Sequence, residues 1–380
     1  MSQTSRTVMR PRTALIHDWL NQQGGAENVL MELHRVFPSA PIYTSFYEPA
    51  LVDPAFRHLD IRHTWLQQFP LWRSNHQALL PLYPLAFGGL RVPKADLVLS
   101  NASAFCKGIR PAPGAVHVCY CLTPTRFLWM PDAYLAGERA PHWSRVLLPP
   151  LLAWARRWDR NAAGRVTQFL AISRAVADRI QRFYGRSSRI VYPPVDVDRF
   201  KPTTDVGDAL LIVSRLIPYK RIDLAVRACT DLGLPLRIVG SGRAEASLRA
   251  LAGPTVRFLG RLPDRDVSVE MARCRALLFP GDEDFGITPV EAQAAGRPVV
   301  AYGSGGALDT VIDGTTGILF REQTVESLGA ALRQVQSMTF DTDALMANAR
   351  RFSREHFRRT LLEAVNDTLR AHGRPPVPDA

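Results

Sequence analysis

Two glutamates, Glu283 and Glu291, stand eight residues apart on either side of a short segment that contains Gly286. The apolar run 276–280 before them predicts a buried strand, and residues 291–295 predict the beginning of a helix. The loop between strand and helix then opens at the carboxyl edge of a sheet, where glycine lets a ligand approach the backbone closely. Free amides of a first helical turn, with the positive end of the helix dipole, favour an anionic or hydroxyl-rich ligand. The spacing therefore indicates a site for a sugar nucleotide.

A helix-capping role competes for the second glutamate. Thr288 followed by Pro289 is typical of an N-cap and a first helical residue, which makes Thr288 to Glu291 a capping box. In that interpretation Glu291 only closes the start of its own helix. Both interpretations stay open for Glu291, whereas Glu283 lies outside the predicted helix and has no such local role.

Basic residues follow the strand that is predicted at residues 210–213. Arg215 offers a planar fork of donors and Lys220 a compact charge, so the pair suits several phosphate oxygens at once. Arg221 can substitute for either of them. Two solvated bases in a loop are the alternative interpretation.

Glycines end several of the predicted strands. Gly240, in the turn 240–242, suits a backbone that passes under a nucleotide, although small residues end strands in many proteins. The turn 303–306 is interpreted as serving tight packing. Near the start of the chain, Gly24 and Gly25 precede a predicted helix, so their amides can meet a phosphate or an acceptor across a cleft.

His17 and Asp18 lie at the end of the first predicted strand. Either residue can position an acceptor hydroxyl, although a structural role is favoured for His17. Asp18 is therefore the candidate for positioning the acceptor.

Apolar runs separated by helix-length segments recur along the chain, and this rhythm predicts an α/β fold with two parallel sheets flanked by helices. The break falls near Pro193 and Pro194, since a strand cannot easily continue through proline. We expect a first domain at residues 1–200, a second at 201–355, and a last segment, 356–380, whose tail is disordered from Gly373. The predicted strands are 14–16, 42–44, 97–99, 116–121, 168–172, 210–213, 236–239, 256–259, 276–279, 299–302 and 317–320.

The bulk composition is that of a globular enzyme. A length of 380 residues is a prior for two domains, and 46% apolar with 22% charged residues is ordinary. The sequence contains no apolar run long enough for a membrane span, and residues 1–13 do not resemble a secretory signal, so a cytoplasmic location is expected. Five scattered cysteines are interpreted as buried thiols.

The charge is unevenly distributed. Residues 1–200 carry 24 basic and 13 acidic side chains, whereas residues 201–380 carry 23 and 22. This asymmetry points to an anionic partner of the first half, such as phospholipid headgroups, a lipid diphosphate or nucleic acid. Two stretches, Leu79–Leu90 and Trp143–Arg160, suit a membrane interface, although an ordinary packed helix explains the second equally well.

Several motifs together resemble the retaining glycosyltransferases of family 4, and most closely the bacterial mannosyltransferases that build O-antigen and exopolysaccharide units. The resemblance covers roughly residues 12–360. The matching blocks are His17–Leu20, Gly24–Glu27, Cys119–Cys121 with Thr123-Pro124, Tyr192–Asp196, Val213–Arg221 and the E-x7-E block Glu283–Glu291.

The resemblance implies a GT-B architecture, with two Rossmann-like domains whose sheets face a central cleft, the first binding acceptor and the second the nucleotide sugar. It also implies that the last helix crosses back to the first domain. By resemblance Glu283 and the amides after it contact the donor sugar, Glu291 binds the ribose, and Arg215 and Lys220 hold the diphosphate in place of a metal. The implied donor-binding set is Gly240, Phe285, Gly286, Ile287, Thr288 and Glu291, and the implied acceptor and phosphate loop set is Asp18, Gly24, Gly25 and Arg126.

One position departs from the family pattern. Related sequences carry a histidine near the donor sugar where this chain has Leu122, which cannot donate a hydrogen bond. Arg126 and Ser103 are the nearby substitutes. This departure keeps open a donor-binding protein that has lost activity.

The expected activity is retaining, metal-independent transfer, with α-mannose from GDP-mannose passing to a lipid-linked oligosaccharide at the inner face of the membrane. D-x-D triplets occur four times without a shared cation site, so neither metal nor cofactor is expected. A nucleotide-sugar epimerase of similar fold is the alternative enzyme. Nucleic-acid binding explains the charge but not the carboxylates of the second half, and the sequence does not predict an oligomeric state.

Overall fold

A computed structural model describes residues 11–69, 76–93, 95–130 and 144–378, which form two lobes, each built on a parallel β-sheet. The first lobe contains seven strands in the order β3-β2-β1-β4-β5-β6-β7, and the second contains six in the order β10-β9-β8-β11-β12-β13. The first set is β1 (Thr13–His17), β2 (Ile42–Thr44), β3 (Ile61–His63), β4 (Leu97–Ala102), β5 (Val116–Cys121), β6 (Gln168–Ala171) and β7 (Ser188–Ile190). The second set is β8 (Leu210–Val213), β9 (Leu236–Val239), β10 (Val256–Gly260), β11 (Leu277–Phe279), β12 (Val299–Tyr302) and β13 (Gly317–Phe320).

The predicted α/β class with two parallel sheets is confirmed. Each predicted strand is present with its ends within one residue of the prediction, except β4, which continues three residues beyond the predicted 97–99. The agreement arises because a strand buried on both faces reads as a continuous apolar run. Strands β3 and β7 were not predicted. Each has only three residues with an arginine in the middle, Arg62 or Arg189, and lies at an edge of its sheet, where charge is tolerated.

Helices connect the strands. They are α1 (Gly25–Val36), α2 (Tyr83–Gly88), α3 (Arg126–Trp129), α4 (Ser144–Gly164), α5 (Arg174–Tyr184), α6 (Ile222–Asp231), α7 (Glu245–Leu251), α8 (Asp264–Arg273), α9 (Ile287–Ala294), α10 (Ala307–Thr310), α11 (Val325–Ser337), α12 (Thr342–Arg350) and α13 (Arg354–Ala371). Short 3-10 helices lie at Pro54–His58, Trp65–Gln68, His76–Leu82, Cys106–Gly108, Val197–Arg199 and Pro218–Lys220. No described helix is both long and apolar enough to cross a membrane.

Strand order fixes where crevices open. In the first sheet β1 and β4 are neighbours, but β1 is followed by β2 on one side and β4 by β5 on the other. In the second sheet β8 and β11 are related in the same way, with β9 on one side and β12 on the other. Loops after such strand pairs diverge, and ligands of open α/β sheets bind between them. The loops that follow β8 and β11 are 214–221 and 280–286, and these carry the basic residues and the first glutamate of the E-x7-E block.

The last helix, α13, packs on the first lobe. The Phe357 ring meets the Tyr120 ring edge-on at 5.7 Å, and Arg358 pairs with Glu32 of α1 at 2.7 Å. The tail after α13 follows it, since Val377 is buried. Asn366 holds the backbone of Val377 through both its amide nitrogen and its carbonyl oxygen. The prediction of disorder from Gly373 is therefore wrong for residues 373–377.

The two stretches suggested for membrane contact differ in the structure. In Leu79–Leu90 the side chains of Leu79, Tyr83 and Phe87 are buried in the core, whereas Leu85 is exposed. Trp143 lies outside the described residues. On α4, Trp154 and Leu151 are exposed and Trp158 packs inward. All five cysteines are buried and free, as predicted.

Candidate active site

The candidate site lies where loops from the carboxyl ends of both sheets meet. Glu283, which follows β11, forms an ion pair with Lys220, which follows β8. The two side chains are mostly buried, at 18% and 15% exposure. Strand order makes this contact possible, because β8 and β11 are adjacent although more than sixty residues separate the pair. Two of the three predicted catalytic residues are thus in direct contact.

Glycines hold the loop of Glu283 in place. Gly306 donates its amide to the carbonyl of Glu283 at 2.8 Å. A Cβ at Gly305 would collide with Asp282 and Glu283, and one at Gly306 would collide with the Phe285 backbone. The interpretation of the turn 303–306 as packing is confirmed, and what it packs is the loop that presents Glu283.

Helix α9 begins two residues earlier than a capping box at Thr288 and Glu291 requires. Its N-cap is Gly286, with φ of 86°, and no side chain caps it. Thr288 lies inside the helix, so the capping-box interpretation of Thr288 and Glu291 is wrong. A Cβ at Gly286 would lie 2.8 Å from the ring of Phe279, which is buried like Phe285. The amides of Ile287 and Thr288 belong to the first turn of the helix, and the N–H groups of a first turn have no hydrogen-bond acceptor within the helix.

Glu291 points away from that turn into a charged corner. Its carboxylate pairs with Arg199 at 3.1 Å, and Arg199 also reaches Asp264 at 3.0 Å. Burial raises the pKa of Glu291 to about 7, which Arg199 opposes and Asp264 and Asp196 reinforce. Because the pKa is raised in the folded state, protonation of Glu291 stabilises the folded protein. This stabilisation is complete below pH 4.5, the ordinary pKa, and is lost as the pH rises through about 7.

A pH-dependent affinity follows for any ligand whose hydroxyls bind the Glu291 carboxylate. We expect nucleotide affinity to fall as the pH drops below about 7, by up to about tenfold per pH unit, because the protonated acid loses one acceptor. Calorimetric titrations between pH 5.5 and 8.5 measure it, and Glu291→Gln should flatten the curve. An unchanged curve in that variant would contradict the assignment.

The loop after β8 leaves Arg215 accessible. Arg215 is exposed and its guanidinium makes no ion pair with any described residue. Arg221 pairs with its own neighbour, Asp223, at 3.2 Å. Gly240, with φ of 128°, allows the loop after β9 to touch that of β8, because a Cβ there would collide with the Ser214 carbonyl. The close approach that Gly240 permits is thus to protein backbone.

In the first lobe Gly24 and Gly25 lie at the cleft. Gly24 is the N-cap of α1, and a Cβ at Gly25 would lie 3.1 Å from the Cδ1 atom of Ile287 in the other lobe. The start of α1 therefore faces the start of α9. This places the two predicted backbone segments opposite each other.

Asp18 has a structural task, and its predicted role as an acceptor-positioning residue is wrong. The carboxylate is buried and accepts four backbone amides, those of Ser103 to Cys106, at 2.7–2.8 Å. The Ser103 hydroxyl adds a fifth bond. His17 is likewise buried, with its Nδ1 atom 3.2 Å from Asn101. Asp18 thus holds the loop after β4 against the end of β1.

Asp18→Asn should destabilise the protein by about 3 kcal/mol, since an amide side chain has one acceptor and leaves buried backbone donors unpaired. Urea unfolding measures this loss. The KM for the acceptor should stay unchanged in the folded fraction. A raised acceptor KM at unchanged stability would restore the original interpretation.

Arginines of the first lobe reach across to Asp284, next to Glu283. Arg126 contacts this carboxylate at 2.6 Å and 3.1 Å, and Arg179 of α5 also pairs with it. The Arg126 guanidinium lies 5.7 Å from the centre of the Tyr219 ring. The predicted loop residue Arg126 is therefore in the cleft, bound to the second lobe.

A second crossing joins α5 to α10. Asp309 is buried and accepts from the backbone and guanidinium of Arg174 and from the Tyr192 hydroxyl. Sequence analysis missed these partners. They lie more than a hundred residues apart in the chain, and no local motif marks them.

The two residues suggested as substitutes for Leu122 both have other partners in the structure. Leu122 is half-buried against the core of the first lobe. Ser103 is bonded to Asp18, and Arg126 to Asp284. Among the described residues no group of three or more His, Cys, Asp and Glu side chains is arranged to hold a metal ion.

A buried ion pair supports the segment that carries Arg126. Lys107 and Asp159 are both buried and lie 2.6 Å apart. Asp159 also accepts from Thr125, Trp129 and Tyr184, the last two at 2.8 Å and 2.7 Å. Burial alone lowers the pKa of Lys107, and Asp159 more than offsets this, so the pKa lies above its ordinary value. Lys107 thus stays charged. The hydrogen bonds that Asp159 accepts from Thr125 and Trp129 hold the turn of α3 in place.

Two known family models together match residues 23–364, which is most of the two-lobed body. Residues 23–199 match the family model described as Glycosyltransferase Family 4, and residues 196–364 match that described as Glycosyl transferases group 1. The junction between the matches, 196–199, coincides with the segment that joins the two lobes.

Among curated relatives, the GDP-mannose-dependent monoacylated alpha-(1-6)-phosphatidylinositol monomannoside mannosyltransferase of Corynebacterium glutamicum is 31% identical over 214 residues. The match covers 48% of this chain and 56% of that protein. The D-inositol 3-phosphate glycosyltransferase of Nocardia farcinica is 30% identical over 252 residues, 58% of this chain and 54% of the relative. The chain thus spans little more than half the length of these relatives.

Among solved structures, HepE of Anabaena in complex with UDP superposes with a TM-score of 0.67 at 18% identity. The match covers 94% of this chain and 100% of that one. At this identity the likeness concerns the fold, and it confirms the predicted GT-B architecture.

Proposed function

We propose that this chain, in which a Glycosyltransferase Family 4 domain and a Glycosyl transferases group 1 domain form the two lobes of a GT-B fold, transfers a hexose with retention from a nucleoside diphosphate sugar. The observation that carries the proposal is the Lys220–Glu283 pair at the mouth of the crevice between β8 and β11. It supplies a cation for a leaving diphosphate and, beside it, a carboxylate for a hexose. Accessible Arg215 on the same loop adds a second cation.

In this mechanism the donor exchanges partners within the pair. Diphosphate oxygens replace Glu283 on Lys220, and Arg215 holds the remaining phosphate oxygens with its planar fork. The freed Glu283 then accepts hydrogen bonds from hexose hydroxyls, and its negative charge stabilises the positive charge that develops on the sugar as the glycosidic bond breaks. The amides of Ile287 and Thr288 contribute the positive end of α9, and Glu291 binds the ribose.

The proposed donor is GDP-mannose, and the proposed acceptor is a lipid-linked oligosaccharide of O-antigen or exopolysaccharide assembly. The GDP-mannose dependence of the Corynebacterium glutamicum relative supports mannose and GDP, while the HepE complex contains UDP. The basic first half supports an acidic acceptor, because a lipid diphosphate carries negative charge that basic side chains attract.

Contact with the inner face of the cell membrane belongs to the same proposal. Trp154 and Leu151 on α4 are exposed, and Arg156 and Arg160 on the same helix lie near the Trp129 ring. Indole and aliphatic side chains beside arginine favour a headgroup interface. Flotation with vesicles containing anionic lipid measures the contact, and equal binding to neutral vesicles would count against it.

Calorimetry with GDP, UDP and their sugars, followed by transfer assays, tests the proposal. GDP-mannose should bind and yield an α-linked product. Consumption of the sugar nucleotide without an acceptor would favour the epimerase alternative. Donor binding without product over many acceptors would favour a protein that has lost activity, the alternative that Leu122 motivates. No binding of any nucleotide would overturn the proposal.

Metal independence is a separate expectation. Lys220 and Arg215 supply the positive charge that a divalent cation gives other transferases, so EDTA should leave kcat unchanged. The measurement is the initial rate with and without chelator. A loss that added Mg²⁺ or Mn²⁺ restores would contradict it.

A further inference from the structure

A cavity of about 450 Å³ lies between the start of α1 in the first lobe and the start of α9 in the second. Its walls include Glu27 of α1 and, opposite, Ile287 and Glu291 of α9. Arg199, from the segment that joins the lobes, forms a third side. The cavity therefore touches residues assigned to the donor and extends to a carboxylate, Glu27, that the mechanism above does not use.

Glu27 is buried without adequate partners. Its exposure is 1%, and its Oε2 atom accepts no hydrogen bond from any described residue. The Oε1 atom has only long approaches, 3.5 Å from the Gln22 amide nitrogen and 3.7 Å from Nε2 of His17. A buried carboxylate in this state costs free energy, and such groups normally receive a hydrogen bond from some other molecule.

A purely local role for Glu27 is not realised. As the third helical residue after the N-cap Gly24, Glu27 is placed to accept a hydrogen bond from the amide of Gly24. A Cβ at Gly24 would lie 3.1 Å from Oε2, yet that oxygen forms no hydrogen bond there. Glu27 therefore does not complete a capping box.

A second carboxylate on the same helix shows the contrast. Glu32 is also buried and lines the same cavity, but Arg358, Arg354 and Arg35 pair with it, the first two at 2.7 Å and 3.2 Å. Glu32 is thus a structural ion-pair centre between α1 and α13. Glu27 is as deeply buried as Glu32, but no arginine among the described residues pairs with it.

The missing partner is an O–H or N–H donor that enters the cavity. The positive end of α1 and the Gly24-Gly25 backbone favour a ligand that also carries oxygen acceptors. Carbohydrate hydroxyls combine both properties in one group. We propose that Glu27 is a carbohydrate-recognition residue, whose Oε2 atom accepts a hydrogen bond from a ligand hydroxyl; this inference rests on the proposed function.

Three sources can supply that hydroxyl: the ribose of the nucleotide, the hexose of the donor, or the acceptor glycan. Glu27→Gln keeps the shape and removes the charge, and should weaken binding of the source by about 10- to 100-fold. Weaker binding of GDP identifies the ribose, weaker binding of GDP-mannose alone the hexose, and a raised acceptor KM alone the acceptor. The melting temperature should stay the same or rise, because an unpaired buried charge is lost.

Glu32→Gln is the matched control, with the opposite pattern: a lower melting temperature and unchanged ligand affinity. Deoxy analogues of the identified ligand extend the test to wild-type protein, which needs no variant to fold. Loss of the hydroxyl should cost wild type more than it costs Glu27→Gln. Equal costs would show that the two groups do not interact and would overturn the inference.

Two further outcomes separate this inference from the proposed function. Wild-type protein that binds nucleotide, with a Glu27→Gln variant of equal affinity for all three ligands, overturns the inference alone and leaves water as the partner of Glu27. Wild-type protein that binds no nucleotide overturns the proposed function and this inference with it.

Discussion

Glu283→Gln will lower kcat by about 1,000-fold while the protein stays folded, since removing one group that stabilises transition-state charge has effects of that order. Glutamine keeps the shape of the side chain and loses the negative charge that faces the reacting sugar. Initial rates at saturating donor measure the change. Circular dichroism and a melting curve establish that the fold is intact.

Lys220 provides the partner for a double-mutant cycle. Lys220→Met should weaken donor binding more than acceptor binding, and the double variant should lose less than the sum of the two single losses, because the side chains contact each other. Glu270→Gln is the control, since Glu270 of α8 pairs with Arg237, which lies near the amino end of β9 and so away from the carboxyl edge of the sheet. A Glu283→Gln variant with kcat within threefold of wild type would remove Glu283 from the reaction.

Asp159→Asn should reduce the free energy of unfolding by about 3–5 kcal/mol, because it leaves the buried Lys107 ammonium without its counter-charge. The same change weakens the bonds from Trp129 and Tyr184 that fix the turn of α3. Arg126 lies on that turn, so activity of the folded fraction should fall as well. Urea unfolding measures the first effect, and kcat/KM the second.

Asp367→Asn is the comparison for this loss. Asp367 pairs with Arg189 and Arg370 on the surface, and its side chain is mostly exposed. Exposed ion pairs contribute little to stability, so this variant should unfold at nearly the wild-type urea concentration. Similar losses in the two variants would show that burial does not govern the contribution of the Lys107–Asp159 pair.

The sheets were predictable from sequence because the signal for a buried parallel strand is local. The run 299–302 is apolar throughout and 116–121 is apolar except for His117, and their ends coincide with β12 and β5. The short edge strands β3 and β7 lack this signal, since each holds an arginine and is exposed on one side. The start of α9 was misplaced because Thr288-Pro289 suits a helix start locally, while Gly286 takes that position in the fold.

The candidate site was predicted in part. Glu283 and Lys220 were chosen singly, and their contact follows only from strand order. Asp18 was given a ligand role because a carboxylate at a strand end suits one, and its amide partners lie some 85 residues away in the loop after β4. Partners of Asp284 and Asp309 come from α3 and α5 and carry no sequence signal, since nothing in a local pattern specifies which distant arginine arrives.

The chain passes between the lobes twice, and the two passages lie side by side. Val195, on the way to the second lobe, donates its amide to the carbonyl of Phe352 at 2.9 Å, just before α13 returns to the first. Two adjacent links are the arrangement expected of a hinge between two lobes. Rotation about them would separate Arg126 and Arg179 from Asp284, whereas Glu32 would stay attached to α13, because both of these belong to the first lobe.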